Sequence, residues 1–135
     1  MTLTRLPDWR TRLHRYFAEA GRREFAWGSH DCTHFVAGAV EAMTGTYPAS
    51  RVTGRYTTPT GAQRALRNAG FDDLAEAVAA ELEPTDNPQE GDIAVMRDNE
   101  GRLALGIVGR GCAHCLSPGM GLWASYEPPL KVFAV

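Results

Sequence analysis

Residues 27–43 read Trp27-Gly28-Ser29-His30-Asp31-Cys32-Thr33-His34-Phe35-Val36-Ala37-Gly38-Ala39-Val40-Glu41-Ala42-Met43. From Cys32 onward the apolar residues Cys32, Phe35, Val36, Ala39, Val40 and Met43 recur at offsets 0, 3, 4, 7, 8 and 11. That spacing is the stripe of one buried helix face. Asp31 stands where an N-terminal cap belongs, and Gly45 where the helix should stop. The helix therefore opens with a cysteine in its first turn. Unpaired backbone N–H groups and the positive end of the helix dipole gather there, and both favour a thiolate. The charge of Asp31 opposes them. Cys32 also lies on the apolar stripe, which suits a small core residue as well as a nucleophile.

Upstream, Trp9, Leu13, Tyr16, Phe17 and Ala20 share a second helical stripe, with Asp8 as its cap and Gly21 as its stop. Downstream, residues 44–59 are rich in Thr, Pro, Gly and Arg and read as a long surface loop. Thr58-Pro59 opens a third helix with Ala62, Ala65, Leu66 and Ala69 inward, ended by Gly70. Asp72 or Asp73 starts a fourth, reaching about Leu82. Pro84 and Pro88 mark a connector. The remainder reads as strands: 93–96 and 103–108, joined by the turn Asp98-Asn99-Glu100-Gly101, then 122–126 and 131–135. Cys112-Ala113-His114-Cys115, followed by Ser117-Pro118-Gly119, reads as loop. Helices first and an antiparallel sheet afterwards predict one α+β domain over 1–135.

The 135 residues are 44% hydrophobic and 22% charged, an ordinary globular composition. No run of 18 apolar residues is present, so no membrane span is expected, and residues 1–5 lead into a charged segment without a signal-peptide core. Net charge is −2, which gives no general attraction to nucleic acid. The charge is uneven: residues 1–67 carry ten arginines against five acids (+5), and residues 68–135 four bases against eleven acids (−7). The basic half could face an acidic partner or simply solvent. Trp9, Phe17, Phe25, Trp27, Trp123, Tyr126 and Phe133 fall mostly on inward faces. No phosphate-binding glycine loop, Ser-His-Asp order or H-E-x-x-H motif occurs, so no cofactor is expected. Cys112 and Cys115 form a lone C-x-x-C, and a structural zinc needs four ligands, so no metal site is expected either.

The order Asp31-Cys32, then Gly91-Asp92-Ile93-Ala94-Val95-Met96, then Leu105-Gly106-Ile107-Val108-Gly109 resembles the NlpC-type, papain-like peptidoglycan endopeptidases over about residues 25–115. The resemblance implies Cys32 as nucleophile and a papain-like fold. It also implies a histidine base where this chain has Ala104, which cannot accept a proton. A closer likeness is to a small prophage family whose members lie among tail genes. It shares Trp27-Gly28 with Asp31-Cys32, Gly54-Arg55-Tyr56-Thr57-Thr58, the Gly-Asp strand, the Leu-Gly-Ile strand and Gly121-Leu122. This second resemblance implies a tail-tip protein, found in the virion or in the host cytoplasm before assembly, with other tail proteins as partners.

Three readings follow. The first is a structural or assembly protein of a phage tail that keeps the peptidase-like fold without full hydrolytic activity. The second is a working hydrolase of peptidoglycan peptide bonds, with Cys32 as nucleophile and His114 as a relocated base. The third is a cytoplasmic thiol or metal-binding module built on Cys112 and Cys115. Of the histidines beside Cys32, His34 lies about 200° around the helix and should point away from the cleft, while the direction of His30 is left open.

Overall fold

The computed structural model describes residues 3–48 and 56–135. Residues 49–55 of the expected 44–59 loop, with Gly54 and Arg55 of the shared motif, lie outside the described residues. Among those described, α1 (Trp9–Ala20), α2 (Cys32–Thr44), α3 (Pro59–Asn68) and α4 (Leu74–Ala79) precede β1 (Ile93–Arg97), β2 (Leu103–Val108), β3 (Ala113–Ser117), β4 (Gly121–Ser125) and β5 (Lys131–Phe133). The α+β class holds.

Local chemistry sets the helix ends. The Asp31 carboxylate accepts the His34 N–H, Thr58 Oγ1 accepts the Gly61 N–H, and Asp73 accepts the Glu76 N–H. The Glu76 carboxylate in turn accepts the N–H of Asp72, the residue before the cap. Asp8 behaves differently. It occupies the cap position of α1 but makes no cap hydrogen bond, and its carboxylate pairs with Arg12 at 2.8 Å instead. The fourth helix is shorter than its sequence pattern, ending at Ala79 rather than near Leu82.

The strands form one antiparallel sheet in the order β4-β3-β2-β1-β5. β3 corrects the loop expected around Cys112–Cys115. Ala113 and Cys115 face one side of the sheet, while His114 and Leu116 face the other. The segment holds no β-branched residue, and at five residues between a glycine turn and Pro118-Gly119 its alternation is too brief to read.

The helix-side face of the sheet presents Ile93, Val95, Leu105, Ile107, Leu116 and Phe133. They share one buried core with Leu13, Phe35, Val36, Ala39, Val40 and Met43 of α1 and α2. α2 lies between α1 and the sheet, against β2 and β3. α1 closes tightly on it: the Tyr16 hydroxyl donates to the Phe35 carbonyl at 2.7 Å, and a Cβ on Gly38 would meet that hydroxyl at 2.3 Å. The opposite face buries the small cluster Ala94, Met96, Ala113 and Cys115, flanked by Val108 and Trp123. Residues 126–130 must carry the chain from one sheet edge to the other, four strand spacings or about 19 Å away. Six Cα steps reach only about 20 Å, so the sheet must curl or the link must be nearly taut. A curled sheet with small residues on its concave side accounts for both the short link and the buried cluster.

Arg5 and Val135, 130 positions apart, meet just before β1. Arg5 donates from Nη2 to Asp92 Oδ1 at 2.9 Å, from Nη1 to the Glu90 carbonyl at 2.7 Å and from Nε to the Val135 carbonyl at 3.2 Å. Its guanidinium lies 4.2 Å from the centre of the Trp9 ring. Asp92 is buried and also accepts the N–H groups of Gln89 and Val135. Gly91 has φ +94°, and a Cβ there would press on Met43 Sδ at 2.7 Å and Arg5 Nη1 at 2.9 Å. The Gly91-Asp92 pair is thus a structural latch. Truncating a partner of a buried ion pair leaves the other charge uncompensated. Asp92→Ala should therefore lower the unfolding free energy by about 3 kcal/mol, measured by urea denaturation at pH 7. A loss below about 1 kcal/mol, the scale of a surface pair, would show that the latch does not hold the ends.

Candidate functional site

A cleft of about 200 Å³ opens at the N-terminus of α2. Its floor includes Asp31, Cys32 and Thr33. Phe25 and Trp27 line it from the link before α2, packed edge to face at 4.9 Å. Tyr56, Ala62, Gln63 and Leu66 line it from the α3 side, and Leu103, Ala104, Leu116 and Ser117 from the sheet. Cys32 and Ala104 therefore share the cleft, as the sequence motifs imply.

Asp31 organises this end of α2. It is only 2% exposed, yet both carboxylate oxygens are satisfied. Oδ1 accepts the His34 N–H at 3.0 Å and lies 2.7 Å from His34 Nδ1. Oδ2 accepts the Gly28 N–H at 3.0 Å and the Tyr56 hydroxyl at 2.6 Å. Burial alone would raise the pKa of this carboxyl. The hydrogen bonds from His34, Tyr56 and Gly28 overcome that penalty and hold it at about 2. The same carboxylate pushes Tyr56 upward, in concert with burial.

The two histidines flanking Cys32 are occupied elsewhere. His30 is buried, with Nε2 3.0 Å from the Ala20 carbonyl, and burial lowers its pKa. Its Nε2–H tautomer satisfies that carbonyl, so the ring is a packing element. His34 turns back along α2 onto Asp31, and neither ring lines the cleft.

His114 is not brought to Cys32. Its register partner is Ile107, three residues along β2 from Ala104, or roughly 10 Å at strand spacing. Its ring packs 4.5 Å from that of Phe17, on α1. It is a half-buried strand residue, and the relocated base expected for Cys32 finds no geometric support. Among the described residues, no histidine lines the Cys32 cleft.

The Cys32 thiol is itself held in its neutral form. Burial pushes its pKa up and the Asp31 charge adds to this, while hydrogen bonding with the Leu105 and Thr33 backbones and the Thr33 hydroxyl pulls the other way. The expected help from the helix terminus is outweighed by burial. Cys112 and Cys115 do not converge on a common ligand site. Cys115 is buried in the concave face of the sheet, where burial raises it to about 11. Among the described residues, no three His, Cys, Asp or Glu side chains gather as metal ligands.

The family described as domain of unknown function DUF6950 matches residues 4–133. The chain belongs to this family. No curated protein matches it. In this DUF6950 member the part of the site that sequence reasoning missed is the clamp around Asp31. Tyr56 sits in the shared Gly-Arg-Tyr motif, but nothing in a linear pattern says that its hydroxyl reaches back 25 residues to a helix cap. His34, placed on the far side of the helix by spacing, reaches the cap because its side chain folds toward the N-terminus.

The depressed pKa of Asp31 links the site to stability. Its folded pKa lies below the unfolded value near 3.8. Its contribution is thus complete above about pH 4 and disappears as pH falls through 2, and a shift of this size is worth about 2 kcal/mol. Asp31→Asn should lose that amount in urea denaturation at pH 6 and much less at pH 2. An equal loss at both pH values would show that the ionised carboxylate is not what holds the clamp.

Proposed function

We propose that this protein is a structural or assembly component of a phage or prophage tail, in the tail-tip region, on an NlpC-type, papain-like fold that has lost full hydrolytic activity. The observation that carries the loss of activity is the Cys32 cleft: the nucleophile position faces Ala104, and no imidazole lines it among the described residues. The half-buried thiol has its pKa raised, and without an imidazole beside it lacks the base that thiol catalysis ordinarily uses. The tail reading is supported by the motifs shared with the prophage family, from Trp27-Gly28 to Gly121-Leu122. The helix-then-sheet order is compatible with the papain-like fold. No helix of the described residues is long and apolar enough to cross a membrane. On this reading the partners are other tail subunits, and peptidoglycan is a surface the tail meets without this chain cutting it.

The test compares two readouts in a phage or induced prophage that encodes the chain. The protein should be present in purified particles. Deleting its gene should leave tails defective, and a Cys32→Ser chain should restore them fully. Purified wild-type protein should release no muropeptides from cell-wall sacculi beyond the level of its Cys32→Ser variant. Muropeptide release that the variant abolishes would establish the hydrolase instead. Absence from particles would remove the tail assignment.

A further inference from the structure

The turn into β3 holds a second cysteine–histidine pair, away from the Cys32 cleft. Cys112 and His114 are two residues apart and project to the same side. Cys112 Sγ lies 4.0 Å from His114 Nε2, the outer limit of hydrogen-bond reach for sulfur. The imidazole is fixed from the other side by the Phe17 ring. Gly109 keeps the pair uncovered: a Cβ there would sit 2.6 Å from His114 Nε2 and 3.0 Å from Cys112 Sγ. The glycine backbone leaves room for both reacting atoms, where any side chain would wedge between them. Cys112 is half-buried beside the exposed residues Arg110 and Gly111, so a small reagent can reach it.

We propose that Cys112 and His114 form a thiol–imidazole pair, and that Cys112 is the protein's site of thiol–disulfide exchange with small disulfides. Burial lowers the pKa of His114, with a further push from His14 on α1 and an opposing pull from the Glu90 carboxylate. The imidazole is then neutral at pH 7 and able to take a proton. Glu90 is itself paired on both sides. Oε2 lies 3.5 Å from Arg110 Nε, and Oε1 lies 3.4 Å from Arg10 Nε at angles that make an ion pair without a hydrogen bond. In the tautomer protonated on Nδ1, His114 Nε2 accepts the Cys112 proton. The Sγ thiolate attacks one sulfur of the disulfide, forming a new S–S bond as the old one breaks. The departing thiolate takes the proton back from the imidazolium, so the oxidising equivalent is the disulfide itself. The other two thiols lack this arrangement: Cys32 lines a cleft that holds no imidazole among the described residues, and Cys115 is buried in the sheet.

The experiment treats the full chain with 5,5′-dithiobis(2-nitrobenzoate) at pH 7 and maps the modified cysteines by mass spectrometry over time. Cys112 should react first, and at least about tenfold faster than the same thiol in the urea-unfolded chain, because the paired imidazole takes its proton. His114→Gln should remove that advantage at pH 7 and leave little difference above pH 9, where the thiolate forms without a base. The proposal is overturned if Cys32 or Cys115 reacts first, or if native Cys112 reacts no faster than unfolded Cys112. It is equally overturned if a folded His114→Gln protein keeps the wild-type rate. The native-against-unfolded comparison needs no variant and decides the matter even if His114→Gln does not fold.

Discussion

The buried carboxylate of Asp31 is the constraint on which the rest of this end of the molecule depends. A charge removed from water must be matched by hydrogen bonds or it neutralises. Here four donor groups converge on it, from Gly28, from Tyr56 and from the backbone and ring of His34. Each comes from a segment that would otherwise be free to move. The link before α2, the start of α2 and the strand-like approach to α3 are thereby gathered around one pair of oxygens. The Cys32 cleft is the space left beside that gathering. Its electrostatics follow, since a clamped anion next to the thiol adds to burial in keeping the sulfur protonated. An environment that stabilises the helix start thus works against nucleophilic chemistry one residue later.

Much of this architecture was legible in the sequence because it rests on local rules. The stripe from Cys32 to Met43, the Thr58-Pro59 helix start and the Asp98–Gly101 turn are written in short-range spacing, and each stands where it was expected. The presence of Ala104 opposite Cys32 was also readable from motif order. What escaped was set by contacts distant in sequence or by segments too short to show a period. β3 is five residues without a β-branched side chain, and only pairing on both edges makes it a strand. The position of His114 followed from that error: a loop residue can point anywhere, whereas a strand residue in register with Ile107 is fixed against Phe17. Asp8 illustrates the opposite failure. The cap residue was identified, but an arginine one turn away competed successfully for its carboxylate.

The three cysteines show how little residue type says about reactivity. Cys32 has the position of a nucleophile but a desolvated, anion-flanked setting. Cys115 belongs to the concave packing of the sheet. Cys112 has no helix terminus behind it, yet it stands beside an oriented imidazole under a bare glycine. The difference is made by the second layer of residues: Asp31 and Leu105 around one sulfur, Phe17 and Gly109 around another.

The latch between Arg5, Asp92 and Val135 has a consequence for how the chain reaches this state. Arg5 and the Val135 carbonyl are separated by 130 positions yet lie 3.2 Å apart, so one of the molecule's most heavily bonded buried ion pairs is also nearly its longest loop to close. Loop-closure entropy rises only by about 0.6 kcal/mol for each doubling of length, so the penalty is modest once both ends are available. During synthesis they are not available together. The carboxylate of Asp92 receives the Val135 N–H only after residue 135 has been added, and until residues 131–133 are made β1 lacks its outer neighbour β5 as well. Completion of the sheet thereby waits for its last strand in sequence, while the α1–α2 pair, local in sequence, can form early.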